Sequence, residues 1–420
     1  MDIRIVPGLL RGTIAAPASK SELHRYLICA AFSDRPTVVE GAGDILPDDI
    51  TATVFCLEGM GASFRHANGK IEVTPAEECP DCPELNCGGS GSTLRFLLPL
   101  AAAKCAGARF TGNGSLAARP VRELLQALEQ NGARFSGIRL PFRMEAGMSG
   151  HDFSVPGNVS SQYVSGLMMA GAVSGSDTVV RVTSELGSAG YVYMTADALR
   201  RFGADVEEDK NTFRVRGPLR SPGLVRAGGS WSAAAAMLAA AACQENSNVT
   251  VTGLDTESLQ GDRAVLDIVR GMGAEISAQD GSVRVKGSPL NGTDLDVDMI
   301  PDLFPVLAAA AAGADGISFF RNAARLRLKE SDRLDSIHRL LSSLGVSCRE
   351  SADGLEVAGS SNAHAGTVSA EGDHRVVMAA AVAAYALGVE VTVSGAEHVS
   401  KSYPYFFEDL RRLGGRIDVV

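Results

Sequence analysis

The feature that most constrains this chain is an internal repeat of about 70 residues. An apolar helix end, a Gly-Ala or similar step and two short strands around a turn recur six times. The copies are Met60-Gly61-Ala62, Asn131-Gly132-Ala133, Phe202-Gly203-Ala204, Met272-Gly273-Ala274, Leu344-Gly345-Val346 and Leu413-Gly414-Gly415. Successive glycines stand 71, 71, 70, 72 and 69 residues apart, so six units account for all 420 residues. Each glycine comes after a helical run such as Ala198-Leu199-Arg200-Arg201-Phe202 and reads as a left-handed helix C-cap. Alternation in Ala274–Ala278 and Ser282–Val285, on either side of Asp280-Gly281, predicts a hairpin.

Each unit has two helices. The first starts about 40 residues before the repeat glycine, at Lys20-Ser21, Ser90-Gly91-Ser92, Ser160-Ser161-Gln162, Ser230-Trp231-Ser232, Pro301-Asp302 and Asp373-His374-Arg375. The body of each such helix is nearly uncharged, as in Ala233–Ala242 or Val376–Leu387, and a helix apolar all round is buried. The capping Ser and Asp residues mark N-termini, whose N–H groups favour anions. The second, amphipathic helix starts near Asp48, Arg119, Ser188, Gln260, Lys329 and Lys401. Lys or Arg at a helix N-terminus is electrostatically unfavourable. Its recurrence at Lys20, Arg119, Lys329 and Lys401 points to a bound polyanion; the alternative is a set of solvated side chains.

Net charge is −10, from 39 Lys and Arg against 49 Asp and Glu, which argues against nucleic-acid and acidic-membrane partners. Phe153–Ser176 is the longest uncharged stretch, but it carries Pro156, Asn158, Ser160, Ser161 and Gln162 and makes a poor membrane span. The start, Met1–Gly8, has no signal or transit pattern, so a cytoplasmic protein is expected, with its eight cysteines as thiols. Cys79, Cys82 and Cys87 cluster without a fourth ligand at finger spacing, so a surface loop is expected there rather than a metal site.

Basic residues gather near the helix starts: Lys20, Arg25, Arg95, Arg119, Lys329, Arg333, Arg375 and Lys401. Asp48, Asp49, Asp302, Glu330 and Asp373 are interleaved with them. Such a set suits a small, multiply charged phosphate ester or carboxylate, with the carboxylates available for proton transfer. Gly88-Gly89-Ser90-Gly91-Ser92-Thr93 lacks the Lys of a nucleotide-binding P-loop, but it leads straight into an uncharged helix and reads as an anion nest.

Several of these segments resemble the signatures of the 5-enolpyruvylshikimate-3-phosphate synthase family. They are Pro17-Ala18-Ser19-Lys20-Ser21 with Arg25, Gly91-Ser92-Thr93-Leu94-Arg95, Arg119-Pro120 and Val159-Ser160-Ser161-Gln162. Ile300-Pro301-Asp302, Leu328-Lys329-Glu330-Ser331-Asp332-Arg333, Asp373-His374-Arg375 and Lys401-Ser402-Tyr403-Pro404 continue the series in the family's order. The resemblance implies an α/β (α+β) fold of two similar domains, each three βαβαββ repeats in an inside-out α/β barrel. Residues 1–16 would join the C-terminal domain, 228–420, and 17–227 would form the N-terminal one. Crossovers are expected near Ala16–Lys20 and Val225–Gly229, with the active site in the interdomain cleft, open when empty because facing cations repel.

The implied reaction moves the enolpyruvyl group of phosphoenolpyruvate to the 5-hydroxyl of shikimate 3-phosphate and releases phosphate, a step toward chorismate and the aromatic amino acids. Lys20, Ser21, Arg25, Ser160, Ser161, Gln162, Ser188, Asp302 and Lys329 would hold shikimate 3-phosphate, with Tyr191 lining that side. Lys20, Gly91, Arg119, Gln162, Arg333, Arg375 and Lys401 would hold phosphoenolpyruvate. Asp302 would take the hydroxyl proton, Glu330 would protonate the methylene carbon, and Lys20 completes the catalytic set. No cofactor or metal is implied, and a monomer is expected. Glyphosate, the family's herbicide inhibitor, would occupy the phosphoenolpyruvate site. With Gly at 91 the chain should resemble sensitive members, a Cβ there intruding beside the anion.

Departures from the family pattern are Ser230 in place of Asp, Gly89 in place of a polar residue and Arg325 in place of Asn. His398 reads as a surface residue, Trp231 as packing at the crossover, and Tyr403 and Phe406 as core. The sister enolpyruvyl transferase acting on UDP-N-acetylglucosamine has a Lys-Asn pair and a reactive loop Cys, which this chain lacks. A non-catalytic scaffold has no need of Asp302 and Glu330 among cations. An RNA-processing enzyme on a related fold is disfavoured by the acidic charge and the scarcity of aromatic residues.

Overall fold

The computed structural model describes all 420 residues, Met1–Val420. They form two compact units, Ala18–Ala227 and Met1–Pro17 with Gly228–Val420. Each unit holds three four-stranded mixed sheets and its own apolar core. Within a sheet the first two strands run parallel and a hairpin completes it, as in Asp152–Val155, Thr178–Val182, Thr212–Arg216 and Asp205–Asp209. Three strands reach their sheets from distant sequence. Leu224–Arg226 pairs with Thr37–Glu40, Arg11–Ala15 pairs with Asn248–Thr252, and Asp2–Val6 lies between Val391–Ser394 and Arg416–Val419.

All six repeat glycines have positive φ, from 78° at Gly203 to 119° at Gly273. Each ends its helix in the same pair of bonds. The Gly61 N–H donates to Glu58 O (2.9 Å) and the Ala62 N–H to Leu57 O (3.1 Å), and the other five copies repeat this. The double bond is the Schellman motif, which satisfies the last helical carbonyls and needs a residue without a Cβ penalty. The hairpin turn at Asp280-Gly281 has positive φ at both residues, 50° and 71°, as a type I′ turn requires.

The buried helices begin where Ser and Asp caps predict, with one exception. Lys20–Ala31, Gly91–Lys104, Ser161–Ser174, Trp231–Ala242 and His374–Leu387 are capped by Ser19, Ser90, Ser160, Ser230 and Asp373. The fifth starts only at Phe304, not at Pro301-Asp302. Pro305 has no N–H to give back to Pro301, so it is tolerated only in a first helical turn. Asp302 therefore sits in the preceding turn. The second helices also differ from expectation. Arg119 and Lys329 cap the C-terminal ends of short 3-10 turns, and Lys401 closes another. Pro120 and Pro404 come after two of these turns, and Asp332 caps the helix Arg333–Ser343 instead. The argument from cations at helix N-termini thus fails for three of its four residues and survives only for Lys20.

In one unit the helices Trp231–Ala242, Phe304–Ala311 and His374–Leu387 pack on one another, with sheets outside them. In the other, Ser161–Ser174 packs on both Gly91–Lys104 and Lys20–Ala31. The backbones approach so closely that a Cβ at Gly166 would strike the Arg95 carbonyl. Trp231 is fully buried and donates Nε1–H to Asp255 O (2.9 Å); Tyr403 and Phe406 are buried edge to face, and His398 is exposed. The expectation of eight thiols is corrected at one pair. Cys79, in the loop after the strand Lys70–Thr74, is disulfide-bonded to Cys105 at the end of the helix Gly91–Lys104, their Cα atoms 6.0 Å apart. The repeat packing brings that loop within disulfide reach of the helix end.

Phe304 is fully buried and meets Phe320 edge to face at 5.5 Å. Phe304→Ala should cost about 3–5 kcal/mol by leaving a cavity. Urea unfolding checks this as a lowered midpoint.

Candidate active site

The densest charge cluster lies in the unit containing Gly228–Val420 and is built around Arg333. This guanidinium is 1 % exposed. Its Nε donates to Asp373 Oδ2 (2.8 Å), Nη1 to Asp302 Oδ1 (2.8 Å) and Nη2 to Glu330 Oε2 (2.9 Å). Nη1 also lies 3.4 Å from Pro301 O, a carbonyl released by the late helix start. Asp373 is fully buried and caps its own helix by accepting from the Arg375 N–H (2.8 Å). The Arg375 side chain donates to Asp302 Oδ2 (3.1 Å) and to the Ser232 hydroxyl (2.7 Å) and carbonyl (2.5 Å). Lys401 Nζ stands 3.9 Å from Glu330 Oε1.

Asp302 is thus held between two guanidinium groups with Lys329 nearby. Desolvation works against its charge, but a quarter of its side-chain surface still reaches solvent. Arg375, Arg333 and Lys329 outweigh that penalty and hold the carboxyl far below the usual carboxylate range. Lys329 is shifted in the same direction, but for an ammonium that favours the neutral form. Burial lowers its ammonium to about 8, Asp302 opposes the shift, and Arg325 and Arg333 add to it. Arg325 is itself engaged by Asp298 Oδ1 at 2.8 Å.

In the unit Ala18–Ala227 the site residues gather at the N-terminal ends of the helices. Lys20 Nζ pairs with the buried Asp49 carboxylate at 2.5 Å. Gly91 lies under the Arg119 guanidinium, and a Cβ there would fall 2.5 Å from Nη1 and 2.7 Å from Cζ. The expectation that an added methyl meets the anion directly is therefore revised, because it displaces Arg119 first. Gln162 accepts from Arg95 Nη1 (2.8 Å) and donates to Ser92 Oγ (2.9 Å). Arg95 also donates to Pro120 O (2.9 Å), which ties down the residue after Arg119.

Arg25 is buried. Its Nε donates to Thr195 Oγ1, Nη1 to Ser21 O and Nη2 to Tyr191 O, each at 2.7 Å. Burial lowers it to about 10, which Tyr191 and Glu22 partly oppose. Ser160 caps the helix that Ser161 opens. Ser188 is buried at φ 54°, a left-handed conformation rare for a residue with a Cβ and a mark of local constraint.

The structure joins Asp302, Glu330, Arg333, Arg375 and Lys401 in one cluster. In the other unit it links Gly91 to Arg119, Ser92 to Gln162, and Ser21 to Arg25. Three polar residues outside the sequence-predicted set belong with them: Asp373, Ser232 and Asp49. Asp49 and Asp373 were visible as acids near helix starts, but nothing local marks Ser232 as an arginine acceptor. Ser230 serves as a cap in place of Asp, its Oγ accepting from the Ala233 N–H at 3.3 Å.

Two stacked-helix units carrying cations and paired carboxylates at helix ends define a small-anion enzyme of the repeat-built α/β class. Residues 6–410 match the family described as EPSP synthase (3-phosphoshikimate 1-carboxyvinyltransferase). A 3-phosphoshikimate 1-carboxyvinyltransferase of Clostridium acetobutylicum is 35 % identical, with 99 % of this chain and 98 % of the relative covered. One from Natronomonas pharaonis is 37 % identical at the same coverage. The solved EPSP synthase of Acinetobacter baumannii superposes with a TM-score of 0.81 at 26 % identity, and both chains are covered completely. The chain belongs to the EPSP synthase family. The enolpyruvyl transferase NikO of Streptomyces tendae, at 19 % identity and a TM-score of 0.79 over 99 % of this chain and 98 % of its own, shares the fold.

Removing the Asp373 charge leaves a buried guanidinium short of one partner. Asp373→Asn keeps a helix cap but should lower stability by about 3–5 kcal/mol, the range for a broken buried pair. Chemical denaturation of the variant against the parent protein reads this directly.

Proposed function

We propose that both cationic sets bind the substrate anions and that Asp302 and Glu330 divide the proton transfers between them. The chain is a 3-phosphoshikimate 1-carboxyvinyltransferase, moving the enolpyruvyl group of phosphoenolpyruvate to the 5-hydroxyl of shikimate 3-phosphate in the shikimate pathway. The observation that carries the division of roles is the pairing of both carboxylates with one buried guanidinium, Arg333, each flanked by a different second cation. Different surroundings separate proton affinities, and the two acids are then free to act in opposite directions.

In this reading Lys20, Ser21, Arg25, Ser160, Ser161, Gln162, Ser188, Asp302 and Lys329 hold shikimate 3-phosphate. Lys20, Gly91, Arg119, Gln162, Arg333, Arg375 and Lys401 hold phosphoenolpyruvate. Arg375 and Arg333 stabilise the charge of Asp302 and make it a weak base. Substrate anions drawn to those cations offset part of their field and raise the proton affinity of Asp302. The 5-hydroxyl oxygen then bonds to C2 of phosphoenolpyruvate while Asp302 takes its proton and Glu330 protonates C3. The resulting tetrahedral adduct loses phosphate by C–O cleavage, the proton held by Asp302 leaving on the phosphate, and a C3 proton returns to Glu330 as the double bond re-forms. The enzyme acts as a monomer in the cytoplasm with no cofactor or metal. No helix of the chain is long and apolar enough to cross a membrane.

Phosphate release should require both substrates together, and Asp302→Ala and Glu330→Gln should each slow turnover by about 100-fold or more. Near-normal turnover in either variant removes that residue's role.

Lys329 supplies a pH test. Burial lowers its ammonium to about 8, and a phosphate bound beside it would hold the proton on. Affinity for shikimate 3-phosphate should therefore fall as pH rises from 7 to 9. Lys329→Arg should flatten this dependence, as calorimetric titration across the range would show.

A further inference from the structure

Behind the Ser90-Gly91-Ser92 turn lies a chain of buried side chains that the reaction does not touch. His24 Nδ1 is 2.8 Å from Thr53 Oγ1, Thr53 Oγ1 is 2.7 Å from Thr93 Oγ1, and the Thr93 hydroxyl donates to Ser90 Oγ at 2.7 Å. Ser90 Oγ also accepts from the Thr93 N–H (3.2 Å), and the Asp49 carbonyl lies 3.2 and 3.3 Å from the two threonine hydroxyls as an alternative acceptor. His24, Thr53, Thr93 and Ser90 are each at most 1 % exposed. The chain runs from the helix Lys20–Ala31 through Asp48–Gly59 to the start of Gly91–Lys104.

The imidazole sets the direction of the bonds. Burial, with Lys20 and Arg25 close by, lowers the His24 proton affinity well below the usual range, so the ring is neutral. His24 Nε2 is buried without a partner. The tautomer with its proton on Nδ1 leaves only a lone pair unmatched there, whereas the other strands an N–H. With Nδ1–H donating to Thr53, each hydroxyl donates onward and the chain ends on Ser90. No solvent reaches it to supply a substitute bond.

We propose that His24, Thr53 and Thr93 are positioning residues that, through Ser90, fix the Gly91 turn against the Lys20–Asp49 pair and so set the affinity for phosphoenolpyruvate. This rests on the assignment of the Gly91 turn to that substrate. Asp49 ties the two ends together, because its carboxylate holds Lys20 while its carbonyl lies against both threonine hydroxyls. Removing one hydroxyl leaves the rest of the chain unsatisfied in a dry interior and frees the Ser90 cap.

The test uses Thr53→Val and Thr93→Val, which keep shape and lose the hydroxyl, with Thr53→Ser and Thr93→Ser as rescues. His24→Phe, which keeps an aromatic ring edge-on to Phe96, breaks the chain at its other end. The Val and Phe variants should raise the KM for phosphoenolpyruvate about tenfold while leaving the KM for shikimate 3-phosphate unchanged. They should also speed amide exchange across residues 90–95, and the Ser variants should restore both. A parallel rise in both KM values, no change in either, or failure of Ser to rescue overturns the proposal. Amide exchange reads the relay without any turnover. Faster exchange with no activity in the parent protein would sink the functional reading and leave the relay standing, while unchanged exchange would sink the relay.

Discussion

A guanidinium that barely reaches water has to find its counter-charges inside the protein, and Arg333 finds three. Asp302, Glu330 and Asp373 come from three different segments, and each is oriented by a bond to a different nitrogen of the same planar group. The rigid fork of arginine is what makes this possible, because a lysine ammonium fixes distance without fixing direction. Asp373 adds a second constraint, since it also caps the helix that carries Arg375. One buried ion cluster therefore sets the positions of two further carboxylates and of Arg375.

The repeat explains how such clusters arise. Helices packed as close neighbours bring their N-terminal ends together, and bonds between those ends show it. Ser92 meets Gln162, and the Asp49 carbonyl meets Thr93. In the other unit Ser232 meets Arg375, and Arg375 meets Asp302. Short polar caps and small apolar side chains let the helices approach, while the glycine-capped second helix turns the chain back into its hairpin. One repeat departs from its siblings at Asp302. Pro305 delays the helix there, so the carboxylate stays in a turn between two arginines.

Much of this was legible in the sequence because it is local. Glycine spacing, Ser and Asp caps and the Asp-Gly turn each depend on a few adjacent residues. The motifs around Lys20, Gly91, Lys329 and Arg375 could be recognised for the same reason. What sequence reasoning missed depends on distance in the chain. Arginines 25 and 333 read in the sequence as cations for bound anions, but nothing in one dimension shows that both are buried with their donors engaged by the protein itself. The cations Arg119, Lys329 and Lys401 end 3-10 turns rather than starting helices, so their shared position carries no unfavourable helix-dipole contact. The Cys79–Cys105 bond joins residues 26 apart that only tertiary packing brings together.

The central claim is that Glu330, held by Arg333 beside Lys401, hands its proton to the methylene carbon of phosphoenolpyruvate only once the acceptor hydroxyl is in place. Turnover in deuterated water, with mass analysis of recovered phosphoenolpyruvate and product, tests this most directly. Deuterium should enter the methylene position only when both substrates are present, and Glu330→Gln should abolish it. Exchange with phosphoenolpyruvate alone, or exchange that persists undiminished in Glu330→Gln, would contradict the account.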